Sequence, residues 1–163
     1  DPWFFVLRDA VEFADGARRM HARVVSQNIA GSAVFPLLDG KIILLRHFRH
    51  PIRRAILEIP RGSVEPGSSP EETAHREVRE EMDGVIRRIE PLGLLHGATS
   101  LYNNSVHLFF AELESVGSPQ IGEGIESIEH YTVAEFEDLM RQGDILDSFT
   151  VSAFAHARLR RLI

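Results

Sequence analysis

A chain of 163 residues, 44% hydrophobic and 26% charged, is long enough for one well-cored domain and has the balance of an ordinary soluble globular protein. Its formal net charge of −6 argues against a nucleic-acid backbone as main partner, so an anionic ligand would have to be held by local arginines or a metal. Cysteine is absent, which excludes disulfides, thiolate metal sites and a cysteine nucleophile and fits a cytoplasmic protein, and no apolar run approaches membrane-spanning length.

In chain order, the apolar, β-prone run from Trp3 to Val11 and a second run through Arg23, Val24 and Val25 flank Asp15-Gly16, a strong hairpin signal. Residues 31–38 and 41–45 read as two more strands around Asp39-Gly40. An arginine-rich segment follows, with Arg46, Arg49, Arg53, Arg54 and Arg61 close together. Either an anion clamp or solubilising charge at a strand edge accounts for them. Leu57-Glu58-Ile59 reads as a strand entering a Pro-Arg-Gly loop. Ser69-Pro70 then marks a helix start, with Glu72 three residues on completing a reciprocal cap, and Asp83-Gly84 marks its end. On the roughly three turns between, Glu77, Glu80 and Glu81 stand at i, i+3 and i+4 and share one face, beside an apolar row of Ala74, Val78 and Met82. Such a trio is either a solvated acidic face paired with Arg76 and Arg79 or a cage of oxygen donors for a hard cation.

Beyond the helix, residues 85–89 read as a strand, residues 92–95 begin another, and residues 97–104 form a polar loop that contains Asn103 and Asn104. Residues 106–111 are a buried strand. Residues 115–127 read as a Gly- and Glu-containing loop with Glu123 and Glu126. A strand over 128–133, an amphipathic helix over 134–142 ended by Gly143, and a last helix over 148–163 complete the chain. The eight histidines show neither HExxH nor a paired spacing. His47, His50 and His96 are each within reach of a site or are isolated capping groups.

The stretch from Gly62 to Gly84 resembles the Nudix box: Gly62, Arg76, Glu77, Val78, Glu80 and Glu81 fall in register with its pattern. Two positions depart. Ser68 stands where the family has a Glu, and Asp83 where it has Gly, a mild change because Asp tolerates left-handed backbone better than most residues. The order of elements outside the box resembles the ADP-ribose and ADP-sugar pyrophosphatase branch, whose N-terminal hairpin commonly contributes to a homodimer. Prolines usual in that branch after the box are missing here between Leu92 and Phe110.

The resemblance implies one α/β/α sandwich domain over 1–163, with a mixed sheet, an N-terminal hairpin over 1–27 and the box over 62–84. It implies magnesium- or manganese-dependent hydrolysis of a nucleoside diphosphate linked to another moiety, an ADP-sugar or ADP-ribose, releasing a nucleoside monophosphate and a sugar phosphate. Glu77, Glu80, Glu81 and the Gly62 backbone would hold the metal, and Arg76 would orient the glutamates. Glu123, or else Glu126, would serve as general base from a mobile loop. Arg49, with Arg46, Arg61 and Asn103, would contact substrate. A GDP-sugar or nucleoside triphosphate hydrolase, or a non-catalytic nucleotide-binding or regulatory domain, stays open at this level. Neither nucleic acid nor membrane is expected as a partner.

Overall fold

The computed structural model describes residues 4–26, 30–119 and 124–163. Strands β1 (Phe4–Glu12) and β2 (Arg18–Ser26) pair antiparallel as a separate two-stranded ribbon, closed through Asp15 and Gly16. The main sheet is built from β3 (Ala30–Leu38), β4 (Lys41–Arg49), β5 (Arg54–Glu58), β6 (Arg61–Ser63), β7 (Val85–Leu95), β8 (Ser105–Ser115) and β9 (Ile125–Tyr131). Its central order is β5-β4-β3-β8-β7, with β6 paired to β3 and β9 to β4. Only β3 and β8 run parallel among these pairs, so the sheet is mixed as expected.

Both faces of the sheet are covered, and the period-2 geometry of the strands sorts the side chains between them. Ala33 and Phe35 of β3, Ile42 and Leu44 of β4, and Leu108 and Phe110 of β8 face a core closed by helices α2 (Val133–Gln142) and α3 (Ser148–Leu159). The alternate residues Val34, Ile43, Leu45, Phe109 and Ala111 pack against Ala74, Val78 and Met82 of helix α1 (Pro70–Met82). At roughly 1.5–3 kcal/mol for each large apolar side chain buried, the Val78–Met82 stripe fixes which face of α1 turns inward. The acidic face must then turn to the rim of the sheet. No helix among the described residues is long and apolar enough to cross a membrane.

The left-handed residue that ends α1 is Asp83, at φ 47°, while Gly84 allows close packing, because a Cβ there would lie 2.8 Å from Val78 Cγ1. Two expectations are corrected. Residues 85–95 form one strand rather than two segments. Pro91 is tolerated because β7 is the sheet's edge, and Gly93, at φ 144°, absorbs the register shift beside it. The strand expected from residue 128 begins at Ile125, since pairing with β4 continues to His47. Glu126 therefore belongs to a strand, not a loop.

Candidate active site

The box helix is anchored at both ends. Ser69 Oγ accepts from Glu72 N–H at 3.1 Å, and Glu72 Oε2 accepts from Ser69 N–H at 2.7 Å. This reciprocal cap contributes on the order of 1 kcal/mol. Ser32 Oγ of β3 donates to the Pro70 carbonyl at 2.6 Å, tying the first turn to the sheet. The loop before the helix is pinned as well, with Gly31, Ser32 and Ala33 of β3 pairing Ser63, Gly62 and Arg61 of β6.

These anchors bring the acidic face of α1 against β6. Glu77 and Glu81 are buried, at 6% and 3% exposure, while Glu80 is exposed. A Cβ on Gly62 would overlap the Glu77 carboxylate, so only glycine lets the loop backbone lie this close. The Arg61 backbone N–H donates to Glu81 Oε2 at 3.0 Å. Arg76 pairs with Glu77 at 2.6 Å and with Glu80 at 2.7 Å, and it donates to the Ser63 carbonyl at 3.1 Å. Together with His47, Arg49 and Glu65, these residues line a polar cavity of about 370 Å³.

The cavity walls hold four carboxylates from α1 and the loop before it. As the side chains stand, the described residues contain no three acidic or histidine groups already gathered round one point. The donor set nevertheless suits a hard divalent cation, because it is all oxygen and it is electrostatically strained. Burial, and with it the neighbouring charges of Glu77 and Glu58, push the Glu81 carboxyl up to about 8, against the lowering effects of the Arg61 backbone hydrogen bond and the Arg49 charge. A cation among these oxygens would relieve that repulsion.

A second cluster, which the sequence reading did not assign, is built on Glu58 at the end of β5. Its side chain is 1% exposed. Arg49 meets it with both guanidinium arms, Nε donating to Oε2 at 3.0 Å and one terminal nitrogen to Oε1. Arg61 donates to Oε2 at 3.2 Å, and His47 Nδ1 lies 3.1 Å from Oε1. Arg61 also pairs with Asp147 at 3.3 Å and lies over the Phe149 ring at 5.0 Å. Asp147 caps α3 by accepting from Thr150, whose hydroxyl accepts from Ile59 N–H at 3.1 Å. The C-terminal helix is thereby tied to the loop that carries Arg61. Glu58 carried no signal in the sequence beyond being an acid in an apolar strand; burial beside two arginines is a tertiary fact.

Of the other expected residues, Arg49 and Arg61 reach the cavity and Arg46 does not. It pairs with Glu129, which also accepts from the Tyr131 hydroxyl. Glu126 is exposed on β9 and does not line the cavity, and Glu123 lies outside the described residues. Asn103 uses its side-chain oxygen to accept from Ser26 N–H at 3.2 Å, linking loop to ribbon. Its neighbour Asn104 lines two further cavities that share Arg49 and Arg61.

The NUDIX domain family matches residues 28–149. Over 158 residues the chain is 29% identical to an ADP-ribose pyrophosphatase of Bacillus subtilis (strain 168), covering 94% of this chain and 84% of that protein. It is 26% identical to the ADP compounds hydrolase NudE of Escherichia coli (strain K12) over 145 residues, 88% of this chain and 77% of that one. A crystal structure of an ADP compounds hydrolase superposes with a TM-score of 0.84 at 25% identity, over 95% of this chain and 84% of the other.

Proposed function

Because the chain belongs to the NUDIX domain family, and its relatives include an ADP-ribose pyrophosphatase and an ADP compounds hydrolase, we propose that it hydrolyses ADP-ribose or an ADP-sugar with the help of magnesium or manganese. The observation that carries this reading is the meeting of two unlike clusters at one cavity. Buried carboxylates of α1 stand on one side, and the Glu58-braced arginines Arg49 and Arg61 on the other. A diphosphate needs both, a cation to offset its charge and planar donors to orient its oxygens.

Glu77, Glu80, Glu81 and the Gly62 carbonyl would hold the metal. When bound, the metal supplies charge neutralisation at the diphosphate and acidifies a water. The protein does the rest. Arg49 and Arg61 orient the phosphates, their forks held by Glu58. Arg76 keeps Glu77 and Glu80 turned to the cavity. Water adds to one phosphorus, the bridging P–O bond breaks toward the other phosphate, and the products are a nucleoside monophosphate and a sugar phosphate. The general base expected from the sequence, Glu123, would take the proton of the attacking water. The exposed apolar residues Phe4, Phe5 and Val6 of the N-terminal ribbon fit a homodimer contact.

The test is a panel of ADP-ribose, ADP-glucose, GDP-mannose and nucleoside triphosphates, each with magnesium and with manganese. Preference for the ADP-linked diphosphates is expected, along with loss of turnover in Glu80→Gln and Glu81→Gln. Preferential triphosphate or GDP-mannose cleavage, or full turnover by the Gln variants, would reject the reading.

A further inference from the structure

The N-cap residue of α3, Asp147, is 6% exposed and divides its two carboxylate oxygens between different partners. Oδ2 accepts from the Thr150 N–H and from the Thr150 hydroxyl, both at 2.8 Å, and so caps the helix. Oδ1 lies 3.3 Å from Arg61 Nη1. Capping needs only one oxygen, so the second is committed to Arg61.

Three groups from two elements converge on the Arg61 guanidinium. Glu58 of β5 accepts from Nη2 at 3.2 Å, Asp147 takes Nη1, and the ring of Phe149, in the first turn of α3, lies 5.0 Å from the guanidinium carbon. Glu58 alone would hold one nitrogen and leave the plane free to swing about it. A carboxylate on the other nitrogen fixes the plane and removes rotamer freedom before any ligand binds. Other guanidinium donors are left over, and Arg61 lines the carboxylate cavity and both of its neighbours. The backbone on either side of Pro60 is held separately, Ile59 N–H by Thr150 Oγ1 at 3.1 Å and Arg61 N–H by Glu81 Oε2 at 3.0 Å. The Asp147–Arg61 pair therefore acts on the side chain and is not what places the loop.

We propose that Asp147 is a positioning residue for substrate binding. Acting through Arg61, it holds the guanidinium in the orientation that receives the diphosphate, which makes the start of α3 part of the binding apparatus. The assignment rests on the reading above, in which Arg61 orients the phosphates.

Asp147→Ser separates the two duties, because serine caps a helix about as well as aspartate but is too short to keep the pair with Arg61. Arg61→Ala supplies a background in which the pair is already broken while the backbone N–H to Glu81 is kept. KM and kcat for ADP-ribose with magnesium are measured for wild type, both single variants and the double variant, with melting curves for each. With Arg61 present, Asp147→Ser is expected to raise KM about five- to tenfold, with kcat within about twofold and a Tm near that of wild type. In the Arg61→Ala background the same substitution should change KM by less than about twofold. An equal rise in both backgrounds would show that Asp147 acts through the fold and would overturn the assignment, as would an unchanged KM in Asp147→Ser. Should the serine variant melt below the assay temperature, Asp147→Asn, which keeps the size and the cap and removes the charge, takes its place. A rise of about threefold that depends on Arg61 is then expected, and one independent of Arg61 overturns the assignment. These outcomes leave the ADP-linked reading intact, whereas failure of wild type to cleave any ADP-linked diphosphate would overturn both.

Discussion

Gly62 and Glu77 touch through the absence of a side chain: any Cβ on Gly62 would overlap the Glu77 carboxylate. Gly62→Ala must therefore push Glu77 off the cavity wall or lift β6 from β3. Gly62 has no left-handed backbone to protect, so the strain is one of contact alone. We expect a loss of kcat of about a hundredfold or more, with a stability cost of about 1–3 kcal/mol. Turnover and thermal melting measured together would check this, and an active, unshifted variant would refute the close contact.

Glu81 carries a pH dependence with a definite sign. Its folded-state carboxyl titrates at about 8, against 4.5 when unperturbed, because burial and nearby carboxylates oppose its charge. Between those values the folded state binds more protons than the unfolded state. The contribution is therefore neutral below about pH 4.5 and increasingly destabilising as pH rises toward 8. In chelator, Glu81→Gln should be inactive yet more stable than wild type at pH 8, by about 2–4 kcal/mol, with the gap closing near pH 4.5. Magnesium should restore stability to wild type and not to the variant. Denaturant melts across pH would detect the opposite slope if the assignment is wrong.

Glu58 braces both arginines from a buried position. Glu58→Gln keeps the shape and removes the charge that aligns Arg49 and Arg61. The expected signature is a rise in KM of about tenfold or more with kcat within about threefold, since the residue orients binding groups and touches no reacting atom. Glu58→Ala would take the shared carboxylate from Arg49 and Arg61, leaving Asp147 to pair Arg61, and should cost about 1.5–3 kcal/mol in stability. An unchanged KM in Glu58→Gln would show that the arginines hold their positions without it.

The N-terminal ribbon exposes Phe4 at 46%, Phe5 at 51% and Val6 at 65%. Isolated two-stranded ribbons are marginal in water, so these residues are expected to be covered by a second copy. Sedimentation should give a dimer for wild type and a monomer for Phe5→Asp combined with Val6→Asp. A wild-type monomer at micromolar concentration would refute the dimer.

The local signals were legible because they depend on local chemistry. Ser69-Pro70 with Glu72 specifies a capped helix start wherever it occurs, and Asp15-Gly16 specifies a hairpin. The i, i+3, i+4 spacing places Glu77, Glu80 and Glu81 on one side of α1. Alternation along β3, β4 and β8 was legible only as apolar runs, since a strand buried on both faces shows no polar phase. Elements joined by irregular backbone were misjudged: β7 looked broken at Pro91 because its edge position is not written in its own residues, and β9 looked shorter because its pairing to β4 is non-local.

By itself the sequence determined where the acidic helix begins and ends and which of its faces carries charge, because caps and helical period act over a few residues. Only the tertiary structure decided what that face meets. That Arg49 and Arg61 line the cavity while Arg46 pairs with Glu129, and that Glu58 meets both of them, depends on which distant strands lie side by side. Burial and pairing across a sheet are set by packing of the whole domain, not by neighbours in the chain.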